Sequence, residues 1–120
     1  MTFPIEIVLK GRTDAVTEML MVPHGDPSTW DDVAVRDVLV EILRSINRAN
    51  DPVAARDQAV VLQGFSWIVE PVDGRVVLAI EIPMGAAVAG PFAIAQSTLD
   101  ALIGGVLRGE RQHLAPNTIH

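Results

Sequence analysis

Cysteine is absent from the 120 residues, which excludes disulfides, thiolate metal sites and a cysteine nucleophile together. Tyrosine is absent too, and the aromatic set is small: Phe3, Phe65, Phe92, Trp30 and Trp67. The core must therefore be assembled from Val, Ile, Leu and Ala. Lysine occurs once, at Lys10, and the formal net charge is −6. With no basic stripe to offset that charge, the electrostatic footprint of a nucleic-acid binder is missing, and nucleic acid is not an expected partner. No apolar run approaches the roughly 18 residues that suggest a membrane span, because Asp73, Glu81 and Asp100 interrupt the apolar C-terminal half. The segment Met1 to Glu6 lacks the basic and apolar regions of a secretory leader and alternates as a strand does. A cytoplasmic protein is the expectation.

What is present is apolar. Hydrophobic residues make up 49% of the chain and the mean hydropathy is +0.33. A chain of this length forms one domain that removes roughly two-thirds of its unfolded surface from water. The expected division is a single domain over residues 1–109 and a polar tail over residues 110–120. The apolar surplus suggests a subunit interface.

Phe3, Ile5, Ile7 and Leu9 alternate with Pro4, Glu6, Val8 and Lys10, the period-two pattern of a half-buried strand. After the turn residues Gly11 to Asp14, Val16 to Val22 reads as the return strand of a hairpin; Thr13 capping a short helix through Met19 is the alternative. Ser28 or Thr29 is positioned to cap a helix whose first turn holds Asp31 and Asp32, with Val35, Val38, Leu39, Ile42, Leu43 and Ile46 as its apolar stripe. Asp51-Pro52 ends it, and one extra helical turn is expected over Val53 to Arg56.

Asp73-Gly74 lies between the apolar runs Val60 to Val69 and Arg75 to Ile82, and suits a type I′ hairpin turn. A two-residue loop there sets the register. It pairs Pro71 with Val76, Val69 with Leu78, Trp67 with Ile80 and Phe65 with Ile82 on one wholly apolar face. Val72 with Arg75, Glu70 with Val77, Ile68 with Ala79 and Ser66 with Glu81 fall on the other. The segment Pro83 to Gly90 reads as a small-residue connection. A last helix begins at Pro91 or at Ser97, carries Phe92, Ala95, Leu99, Leu102, Ile103 and Val106 on one stripe, and stops at Gly109. The expected fold is α+β: a four-stranded antiparallel sheet with two helices on one face, in the order strand, strand, helix, strand, strand, helix. Trp67 is expected under the helices and Trp30 partly exposed.

For chemistry, the loop Pro23 to Pro27 brings His24 and Asp26 to a helix N-terminus, next to Trp30. These three residues are the candidate ligand-binding set, with the Gly85 to Gly90 segment as the other wall of a pocket. Gly, Asp and Pro are equally the ordinary residues of a surface turn. His113 and His120 lie near the chain end, and no His-x-x-x-His spacing supports a metal site; no cofactor is expected either. Asp31 and Asp32 are explained by the helix dipole. Ser28, Ser45, Ser66 and Ser97 stand in no Gly-x-Ser-x-Gly context, and the glycines match no phosphate-binding fingerprint. Gly104-Gly105, costing about 1 kcal/mol each inside a helix, suggests the close approach of another backbone. With no catalytic constellation, the leading expectation is a non-enzymatic assembly or protein-interaction module that works as a homo-oligomer through Ile68, Val72, Val77 and Ala79. Val33 and Val40 form a second candidate contact. The alternative is a small-molecule-binding protein or enzyme using the His24–Asp26 loop.

Overall fold

The computed structural model describes residues 1–53 and 60–114. Strands β1 (Thr2–Leu9) and β2 (Ala15–Met21) form the first hairpin and helix α1 spans Asp32–Asn50; strands β3 (Ser66–Val72), β4 (Arg75–Ile82) and β5 (Gly85–Phe92) precede helix α2 (Gln96–Leu114). All strand pairings are antiparallel, in the spatial order β2-β1-β5-β4-β3. The α+β class and the antiparallel sheet agree with the sequence reading, but the sheet has five strands rather than four. The addition is the segment 85–92: Gly85 to Gly90, expected as a connection, and Pro91-Phe92, one of two expected starts of the last helix, are strand, and α2 begins only at Gln96. This strand fills the centre of the sheet, bonded to β1 on one side and β4 on the other.

Gly and Ala have little intrinsic strand preference, and here packing decides. Ala87 and Ala89 are buried in the core, and a Cβ on Gly85 would lie 2.7 Å from the Val8 carbonyl oxygen. Small residues let the central strand sit tightly between its neighbours. Near its end β5 carries one residue more than β4, between the pairs Leu78–Ala89 and Val76–Phe92. Gly90 takes the required φ of +113° at this bulge, and the Gly90–Pro91 peptide is cis.

The β3–β4 hairpin has the register set by Asp73-Gly74: Pro71 pairs with Val76, Val69 with Leu78, Trp67 with Ile80 and Ile68 with Ala79. Asp73 and Gly74 have φ of 49° and 79°, as a type I′ turn demands. Gly74→Val puts a β-branched residue in the left-handed region. It is expected to lower stability by about 1–3 kcal/mol, read as a lower urea midpoint; an unchanged midpoint refutes the turn's role.

Helix α1 starts later than expected. Asp26 caps a short 3-10 turn, Pro27–Thr29, and Trp30 then becomes extended, with ψ of 140°. Asp31 caps α1 by accepting from the Ala34 N–H at 2.9 Å. Because Trp30 leaves the helical path, its indole turns inward and is only 7% exposed. Its ring packs 5.1 Å from that of Phe92, which meets Phe3 edge-on, also at 5.1 Å. Trp67 is only half-buried, since β3 is an edge strand. The expected exposures of the two tryptophans are thus reversed.

Both helices cover one face of the sheet. Val35, Val38, Leu39, Ile42 and Ile46 of α1 and Leu99, Ile103 and Val106 of α2 close over Ile5, Ile7, Val69, Leu78 and Ile80. Helix α2 passes through Gly109 to Leu114, and Glu110 accepts from Arg36 Nε at 2.6 Å, tying the two helices together. Residues 110–114 therefore continue the helix instead of opening a tail. Gly104 and Gly105 meet no other backbone: the nearest atoms to a Cβ there belong to the Arg108 side chain, at 3.4 and 3.8 Å. The expected helical turn over Val53 to Arg56 lies partly outside the described residues, as does His120. No helix among the described residues is long and apolar enough to cross a membrane.

Candidate functional surfaces

The loop between β2 and α1 does not gather its polar groups around a common point. His24 Nε2 lies 2.7 Å from Asp37 Oδ2 on α1. Asp26 Oδ1 instead accepts from the backbone N–H of Ser28 at 2.9 Å and from its hydroxyl at 3.0 Å. Those two bonds, the backbone one first, hold the Asp26 carboxyl below its ordinary pKa. Trp30 donates from Nε1 to the Gly25 carbonyl at 3.1 Å. Each candidate ligand-binding residue thus has one polar side-chain atom engaged within the loop or by α1. The Gly85 to Gly90 segment, the other wall of the expected pocket, is a strand inside the sheet.

A concavity of about 770 Å³ opens where the β1, β4 and β5 ends meet the approach to β3. Lys10, Phe65, Ser66, Glu81 and Pro83 lie along it. It is a broad, open groove. Among the described residues, no three His, Asp or Glu side chains stand together as a metal site.

The uncovered face of the sheet has a different character. Side chains that alternate away from the helices emerge there, and cross-strand pairing arranges them in rows. One row runs Thr17, Glu6, Val88, Ala79, Ile68 and the next Ala15, Val8, Ala86, Glu81, Ser66. Ile68 is 53% exposed; Val72, Val88 and Val8 are also exposed, while Val77 and Ala79 are half-buried by their neighbours. Met19 and Met21 extend the apolar surface to the β2 edge. Glu6, Glu70, Glu81 and Arg75 interrupt it.

Family models, curated proteins and solved structures were all compared with the chain. None matches.

The residues Ile68, Val72, Val77 and Ala79, expected as a contact set, thus lie on one surface, which Val8 and Val88 share. Sequence reasoning missed these two because Val88 was not recognised as strand. The pairing of Val8 with Ala86 and of Val88 with Ala79 is visible only once β5 lies between β1 and β4. Of the second candidate pair, Val33 on α1 is exposed and Val40 half-buried.

Proposed function

We propose that this protein is a non-enzymatic assembly module that acts as a homo-oligomer, with the uncovered face of its sheet packed against a second copy. The observation that supports this reading is the asymmetry of the sheet. Ile5, Ile7, Val69, Leu78 and Ile80 are sealed beneath two helices, while among the described residues no element lies above Ile68, Val72, Val8 and Val88 on the reverse side. An exposed apolar surface interspersed with a few charges, as Glu6, Glu70, Glu81 and Arg75 are here, suits an isologous contact. The loop holding His24, Asp26 and Trp30 has a structural explanation in its own hydrogen bonds, which weighs for assembly and against a ligand site.

Ile68→Asp tests the reading. A carboxylate at this position, beside Ala79 on the β3 side of the face, would be buried unpaired on association, at a penalty of several kcal/mol. Light scattering is expected to show an associated parent and a variant of lower mass, with the fold intact by circular dichroism. A monomeric parent at tens of micromolar rejects the homo-oligomer, and a variant of unchanged mass removes this face from the interface.

A further inference from the structure

The two edges of the sheet are not equivalent. In the β1–β2 ladder, Met1 and Val22 exchange both backbone bonds: the Val22 N–H donates to the Met1 carbonyl at 2.9 Å and the Met1 amino group donates to the Val22 carbonyl at 2.8 Å. Hydrogen-bonded pairs alternate along an antiparallel ladder. Leu20, Glu18 and Val16 therefore turn their backbone groups inward to β1. Met21, Met19, Thr17 and Ala15 turn theirs outward, away from the sheet. Among the described residues, nothing donates to or accepts from those outward groups.

At the opposite edge the outward groups of β3 belong to Trp67, Val69 and Pro71. Here Gln96 Nε2 donates to the Val69 carbonyl at 2.8 Å, and Pro71 has no N–H to offer. These are the devices that keep a sheet edge from pairing with another strand. β2 has neither. It contains no proline or lysine, and its one charged side chain, Glu18, points to the helix face, where Arg48 Nη2 donates to it at 3.1 Å. Met19 and Met21, 64% and 70% exposed, stand on the other face.

We infer that β2 pairs antiparallel with β2 of a second copy, about a two-fold axis at Met19, to make one continuous ten-stranded sheet. Charge and apolar pairing together select this register: an axis at Thr17 would leave the exposed Met21 opposite Thr13, outside the strand, whereas an axis at Met19 keeps both methionines paired within β2. An axis at Glu18 would set that carboxylate opposite its own copy. An axis at Met19 sets Glu18 opposite Leu20, Thr17 opposite Met21 and Met19 opposite itself, and it matches the outward backbone groups. The edge contact uses a different surface from the sheet-face contact proposed above and does not depend on it. Where both form with intersecting, perpendicular two-fold axes, they close a set of four chains with two kinds of two-fold contact.

The lack of native cysteine makes the test direct. In a hydrogen-bonded antiparallel pair the Cα atoms are about 5.5 Å apart, within disulfide reach. Met19→Cys is therefore expected to give a covalent dimer in high yield under mild oxidation. Thr17→Cys faces Met21 of the other copy, four positions from its own counterpart and roughly 13 Å away along the strand, so it should stay uncrosslinked. In the uncrosslinked parent, the amides of Thr17, Met19 and Met21 are expected to be protected from hydrogen exchange at high concentration and to lose protection on dilution. Met19→Lys, which sets two ammonium groups face to face, should halve the mass measured by light scattering. Ile68→Asp leaves the Met19→Cys crosslink intact if only the face contact fails. Equal crosslinking at positions 17 and 19, or fast exchange of all three amides while the chain is associated, overturns the edge pairing; so does an unchanged mass for Met19→Lys.

Discussion

Trp30→Ala is expected to lower the stability of the fold by about 3–5 kcal/mol, the range for removing a large aromatic from a packed core. The side chain is buried against Phe92, and Phe92 in turn meets Phe3, so the truncation opens a void in the largest aromatic cluster of the molecule. It also leaves the Gly25 carbonyl without its indole donor. Emission from the single-tryptophan proteins provides the check. Trp67→Phe, which leaves the buried Trp30, should emit to the blue of Trp30→Phe, which leaves the half-buried Trp67. The opposite spectral order, or a loss below 1 kcal/mol for the alanine variant, would place Trp30 at the surface.

Gly90→Val carries the second large effect, because two independent costs fall on one position. The backbone holds φ at +113°, a region in which a side chain costs about 1–3 kcal/mol. A Cβ there would also lie 3.1 Å from the Val76 carbonyl oxygen and 3.1 Å from Phe92 Cδ2. The carbonyl belongs to the neighbouring strand and the ring to the core, so neither yields freely, and overpacking adds about 1–3 kcal/mol more. Gly25→Ala is the control, with open space around its Cβ and no positive φ; it should shift the urea midpoint little. Equal midpoints for the two variants would remove the bulge from any part in stability.

The outer face of the β3–β4 hairpin was legible in outline before its setting was known. Asp73-Gly74 admits few turn geometries, and alternation in the flanking runs then assigned Ile68, Val77 and Ala79 to one face and Val69, Leu78 and Ile80 to the other. That is local information: a turn with demanding dihedrals and a period-two pattern confined to adjacent residues. The β2 edge was half-legible, since Val16 to Val22 read as a strand while nothing in those residues says which strand of the sheet lies at its rim.

The sequence by itself determined the α+β class, the apolar stripe of α1 and the register of β3 against β4, because each depends on residues a few positions apart; it favoured the first hairpin but left a short helix open for its second arm. Only the tertiary structure decided the other features. Gly85 to Phe92 is a strand because β1 and β4 supply partners on both sides, and the tight fit there favours the small residues that propensity counts against. Trp30 is buried because a 3-10 turn and the Asp31 cap redirect the chain toward Phe92, a residue far away in sequence. The unequal edges, one guarded by Gln96 and Pro71 and the other bare among the described residues, follow from strand order, which long-range pairing sets and no local pattern records.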